Sequence, residues 1–261
     1  MRLSATTFRI HRWLGWLVGL QVLVWVSGGL VFSLLPFKDW VKSGDVFKPP
    51  VVALSPGWAA QVAPALQLAA DGGVVKGLST VVLPQGPALK LSLQGQARPL
   101  LVPVDGSALR APDAPAAQAF AQSLYRGSAA VVSVQRLALV PTRLGIVQET
   151  GGRGDVWRVG FDDALGSRIY LDGASGEFVA VRSEAWVWYD FFWRLHIMDY
   201  AGGEDFNGWL LRAASIVAWG LVLAGVVLAV LALRRRWQRR LARARSARGA
   251  CRAGPGAEAR R

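Results

Sequence analysis

The sequence predicts an α+β domain of two tandem units, flanked by two transmembrane α-helices. Three observations predict it. Residues 13–37 and 213–233 carry no ionisable side chain. Arginines stand at the outer end of each run: Arg2, Arg9 and Arg12 before the first, Arg234, Arg235 and Arg236 after the second. Between the runs, an order of one helix followed by short β-like segments occurs twice.

The charge distribution supports this frame. Of the net +13, residues 1–12 contribute three Arg and no acid, and residues 234–261 contribute eleven Arg against Glu258 alone. The body between them is electroneutral. A basic nucleic-acid-binding domain is thereby excluded, because its charge would lie on the folded part.

Residues 1–12 read as a cytoplasmic N-terminus and 13–37 as the first span, since about 20 apolar helical residues cross a bilayer. The run is too long for a cleaved signal peptide, and no A-x-A-like site lies between Ser33 and Trp40, so it reads as an uncleaved signal anchor. The positive-inside rule then puts both termini in the cytoplasm and residues 38–207 across the membrane. Gly15-x-x-x-Gly19 in the first run, and Ala214, Ala218 and Gly220-x-x-x-Ala224 in the second, suit close helix pairing or a homodimer. Gly and Ala are also simply common in such spans.

Residues 38–182 read as the tandem domain. Ser55-Pro56 can open a helix through Ala70 that the Asp71-Gly72-Gly73 turn ends. Strands are expected at 78–83, 89–93 and 100–104, closed by Asp105-Gly106. Asp113 and Pro115 open a second helix ending at Gly127, followed by strands at 130–139, 144–148, 156–161, 168–171 and 178–181. Residues repeat as well as order: Ala59-Ala60-Gln61 matches Ala116-Ala117-Gln118, and Val102 to Asp105-Gly106 matches Ile169 to Asp172-Gly173. Extra hairpin around Gly151-Gly152-Arg153-Gly154 lengthens the second copy.

Residues 183–207 are rich in aromatics (Trp186, Trp188, Tyr189, Phe191, Phe192, Trp193, Tyr200), which suits an interfacial belt or the wall of a flat cofactor. Residues 208–233 form the second span. In 234–261 the arginines set orientation and lie on anionic lipid head groups.

Little soluble-enzyme chemistry is available. The lone Cys251 allows no intramolecular disulfide, and two histidines, His11 and His196, cannot complete a zinc site with it. No P-loop or nucleophile elbow occurs, and Gly151-Gly-Arg-Gly154 leads into a strand rather than a phosphate-binding helix. Asp172-Gly-Ala-Ser-Gly176 reads as a turn. Asp155, Asp162 and Asp163 read as solvated acids, and no metal site is assigned to them.

Three segments resemble a known family. Arg168-Ile-Tyr-Leu-Asp-Gly-Ala-Ser-Gly-Glu-Phe-Val179 resembles the closing hairpin of PepSY domains. His11-Arg-Trp-Leu-Gly15, with its span down to Ser27-Gly28-Gly29, is similar to the first helix of PepSY-associated transmembrane proteins. Trp193-Arg-Leu-His-Ile-Met-Asp-Tyr200, with Asp205-Phe-Asn207, is similar to that family's approach to a later helix.

The resemblance implies a periplasmic domain of two PepSY-like units, anchored in the inner membrane of a Gram-negative bacterium. Family members include reductases of iron uptake that hold b-type haem through histidines at helix ends. It implies His11 and His196 as haem ligands and electron transfer as the role. Arg194 and Arg212 are then candidates for pairing with propionates, although arginines at a membrane edge need no ligand to be explained. Asp199, three residues after His196, would orient the imidazole or cap the chain towards Gly202-Gly203. On the residues alone, His11 equally suits a place among the head groups beside Trp13 and Trp16. The histidines should stand about 30 Å apart across the core, so they cannot share one haem, and each site would need a second copy or a redox partner subunit. Another function that the resemblance allows is a non-enzymatic anchor whose periplasmic domain binds a partner protein such as a peptidase or its propeptide.

Overall fold

The computed structural model describes residues 2–34, 36, 41, 46–52, 56–71, 73–96, 98–205 and 207–252. The chain forms two compact units: Met1–Leu23 with Phe206–Arg261, and Val24–Asp205.

Helix α1, Arg2–Leu34, runs unbroken for 33 residues because no proline interrupts it before Pro36. Its part Arg12–Leu34 is the one helix among the described residues long and apolar enough to cross a membrane. Almost none of it is buried by the rest of the chain, and Trp13, Trp16, Leu17 and Leu20 are all exposed. A continuous apolar surface of that length is stable when hydrocarbon covers it.

Helix α5, Trp209–Arg252, does not stop where the uncharged run ends at Arg234. Arginine propagates a helix well, and no proline lies between Trp209 and Pro255, so the helix carries the basic tail onward. Its apolar part among the described residues, Trp209–Leu223, is shorter than a full span.

In the other unit, α2 (Trp58–Asp71) precedes an antiparallel meander of β1 (Val75–Leu83), β2 (Gly86–Leu93) and β3 (Leu100–Pro103). Then α3 (Ala114–Leu124) precedes a second meander of β4 (Val131–Leu137), β5 (Val156–Phe161), β6 (Arg168–Asp172) and β7 (Phe178–Arg182). The helix-then-sheet order thus occurs twice. Ser55 and the Gly72 turn lie outside the described residues.

Asp113 starts α3 as read from the sequence: its carboxylate accepts the Ala116 amide at 2.9 Å, with Pro115 in the first turn. One expected strand is absent. Residues 144–148 form a tight turn bridged between Arg143 and Val147, because Leu144 (φ 49°) and Gly145 (φ 80°) both adopt left-handed backbone. The second sheet therefore has four strands.

Alternation builds the cores. Trp157, Val159 and Phe161 on β5, with Ile169 and Leu171 on β6, pack against Ala117, Phe120, Ala121 and Leu124 of α3. The opposite face carries Val156, Tyr170 and Ala180, covered by Leu137 and Val140, so this sheet is buried on both sides. The first sheet packs one face, through Leu89, Leu91, Val102 and Val104, onto Val62 of α2. Beyond the second sheet, α4 (Glu184–Ile197) carries the aromatic segment and His196.

Candidate functional site

Both ends of α4 are pinned. At its start the Ser183 hydroxyl accepts the Trp186 amide at 3.0 Å, and Glu184 places a negative charge in the first turn. The Glu184 carboxylate takes Arg168 at 2.7 Å and Arg143 at 2.9 Å. Burial pushes the Glu184 carboxyl upwards, but these two guanidinium groups outweigh it and hold it below its ordinary value.

Behind that contact lies a buried charge. Glu149, 2% exposed, receives Arg168 through Nε and Nη2 at 3.0 and 2.6 Å and the Tyr170 hydroxyl at 3.1 Å. Alternation along β6 places Arg168 and Tyr170 on one face, and Arg182 of β7 joins them by donating to the Glu149 carbonyl at 2.8 Å. Burial, then the Glu149 charge, pushes the Tyr170 hydroxyl up to about 12. Arg182 also lies over the Trp186 ring at 4.0 Å, so sheet and helix share one network.

At the other end, Met198 caps α4 in left-handed backbone (φ 56°), and the chain turns sharply. Arg194 is buried: its Nε donates to Asp190 at 2.6 Å and its Nη1 to the Ala201 carbonyl at 3.0 Å, while Trp193 Nε1 donates to the Gly203 carbonyl at 3.1 Å. Asp199 accepts the amides of Ala201, Gly202, Glu204 and Asp205 at 3.0–3.2 Å. Those amides, Asp205 foremost, lower its carboxyl to about 2. The Asp199 carboxylate is thus spent on the turn and does not hydrogen-bond the imidazole of His196; of its two expected positions it takes the capping one. Arg194 likewise holds residues 201–203 onto the helix.

His196 lies inside an aromatic cluster contributed by α1 and α4. Its ring centroid is 6.0 Å from Trp25 and 6.0 Å from Phe32, and Phe32 packs in turn on Tyr189 at 4.8 Å and Trp193 at 6.1 Å. Gly28 admits the imidazole to the α1 backbone: a Cβ there would stand 4.0 Å from His196 Nδ1 and 3.9 Å from the Phe192 carbonyl oxygen. Nδ1 is sealed from solvent and has no hydrogen-bond partner among the described residues, and the same holds for Trp25 Nε1. The sequence singles out His196, Arg194 and Asp199 as candidates, but not Trp25, Gly28 and Phe32, which pack around His196.

Of His11 the structure describes only its place in α1. Arg212 is exposed in the first turn of α5. Asp155 binds Arg136 at 2.9 Å, and Asp163 accepts the Tyr125 hydroxyl at 3.0 Å, so these acids act apart from one another.

No curated protein and no solved structure matches the chain significantly. The family model described as the PepSY-associated TM region matches residues 8–252. That match covers both long helices, both meanders and the His196 cluster, and the chain belongs to the family of PepSY-associated transmembrane proteins.

Proposed function

We propose that this PepSY protein is an inner-membrane component of a redox or iron-uptake system that holds haem b at His196, with its folded unit in the periplasm. The sealed, unpartnered Nδ1 of His196 carries this reading. A buried polar atom without a partner costs about 1–3 kcal/mol, so its retention among aromatic rings points to a group that engages the imidazole.

The residues fit such a group. An imidazole nitrogen among aromatic rings is a donor that haem iron accepts, and Gly28 leaves α1 without a side chain beside it. His196 would hold the iron, Trp25 and Phe32 would line the ring, and the contacts of Arg194 and Asp199 would keep the end of α4 in place. Haem when bound supplies one-electron transfer. Any second residue holding the group would come from another copy or a partner subunit. His11 would serve a separate site at the other end of α1, and the apolar part of α5 would be the second span, with both termini cytoplasmic by the arginine distribution.

The test is the reduced-minus-oxidised spectrum of protein purified from haem-supplied membranes, for wild type, His196→Ala and His11→Ala. Haem b bands that His196→Ala diminishes support the reading. Absence of those bands in wild type, or their full persistence in His196→Ala, overturns it.

A further inference from the structure

The two halves of the folded unit enclose a cleft of about 820 Å³. Lys90, Arg98, Leu100, Leu101 and Leu109 line one side, and the turns around Arg153 and Asp172 line the other. Its acids are already engaged. Asp155 receives Arg136 at 2.9 and 3.2 Å, Asp172 accepts the amides of Ala174 and Ser175 and the Ser175 hydroxyl, and Glu177 binds Lys90.

The two remaining cations are not engaged. The Arg98 and Arg153 guanidinium groups form no hydrogen bond or ion pair among the described residues, and Arg98 reaches Asp155 only as a more distant charge beside Arg136. Two open guanidinium forks are the free polar valence of the cleft, and their geometry suits carboxylates. Arg153 is held in place: Thr150 Oγ1 donates to its carbonyl at 2.7 Å and its amide donates to the Thr150 carbonyl at 3.2 Å.

The cleft also offers backbone and apolar surface. Among the described residues strand β3 pairs with β2 alone, so no strand takes its second edge, and Leu100 and Leu109 are about 40% exposed. Pro99 and Pro103 bracket that edge and confine any pairing to a short segment.

We infer that the cleft binds a short acidic, leucine-bearing segment of a partner protein in extended form along β3, with its carboxylates on Arg98 and Arg153. Leu100, Leu101 and Leu109 take the alternate apolar side chains, which a small free anion would leave unused. The site shares no residue with the His196 cluster and stands or falls separately from haem.

The experiment uses the full chain in detergent and a short fluorescein-labelled peptide alternating Glu and Leu, read by fluorescence anisotropy. Expected are saturable binding, at least a tenfold weaker Kd in Arg98→Ala/Arg153→Ala, partial recovery in Arg98→Lys/Arg153→Lys, and weakening by salt. Unchanged circular dichroism and melting of the variants assign the loss to the cleft. No saturable binding overturns the inference. Equal binding of a Lys–Leu peptide, an unaffected alanine variant, or complete competition by free glutarate at the same affinity overturns it too, the last in favour of a small-anion site.

Discussion

Two guanidinium nitrogens of Arg168 converge on Oε1 of Glu149 at 2.6 and 3.0 Å, with side chains only 11% and 3% exposed, at the place where the second sheet meets the start of α4. The pair spans 19 residues and shares its acid with the Tyr170 hydroxyl. Through Arg168 and Glu184, the sheet fixes the helix that carries His196.

Removing one partner of this pair leaves the other charge buried. Glu149→Ala is expected to destabilise the folded unit by about 3–5 kcal/mol, and Glu149→Gln by less, since its oxygen still accepts from Tyr170. Denaturant unfolding in detergent, followed by near-UV circular dichroism, reads the difference. A Glu149→Ala protein as stable as wild type would show that the network contributes nothing.

Gly203 adopts φ 76°, and a Cβ there would stand 2.8 Å from Arg194 Cζ. Gly203→Ala therefore strains the backbone and pushes on a buried guanidinium, with an expected cost of about 1–3 kcal/mol. The cost should be non-additive with Arg194→Ala, because both act on the same clamp. A double-mutant cycle of melting data checks this; strict additivity would contradict the contact.

Asp199 supplies a pH dependence. Its folded carboxyl lies at about 2 against an ordinary 3.8, so the ionised form is the one that folding favours. That contribution is complete above pH 4 and is lost as pH falls through the folded value near 2. Melting of wild type and Asp199→Asn should therefore differ most above pH 4 and converge towards pH 2. A gap that stays constant with pH would exclude the carboxylate as its source.

Gly28 sets the depth of His196. A Cβ meets its neighbours there at 3.8–4.0 Å, so Gly28→Ala should be tolerated, whereas Gly28→Leu has no room and must displace the imidazole or α4. Acylation of His196 by diethyl pyrocarbonate, followed by mass spectrometry, should be as fast in the alanine variant as in wild type and at least severalfold faster in the leucine variant. Equal rates in all three proteins would place the imidazole elsewhere.

Local signals were legible. Asp113 with Pro115 marked the start of α3, and the alternation at 156–161 marked β5, because cap and pleat are decided by neighbours along the chain. Residues 144–148 misled because an apolar run reads as a strand, while Leu144 takes left-handed backbone that no periodicity reports. The arginine-rich tail read as a basic segment after the span without an assigned conformation, and helix propensity carries α5 through it.

His196 was legible as an isolated histidine in an aromatic stretch, but its surroundings were not. Trp25 and Phe32 come from a helix over 160 residues earlier, and Glu149, Arg168 and Arg182 meet only because strands and loops distant in sequence converge on one face. The sequence by itself determined the apolar anchor, the confinement of charge to the ends and the twice-repeated order of helix and strands, since hydropathy and periodicity act over a few residues. Only the tertiary structure decided that Asp199 caps a turn, that Arg194 is buried as a clamp and that His196 Nδ1 is sealed without a partner among the described residues. Burial and pairing depend on what the fold brings alongside, and spacing along the chain does not encode it.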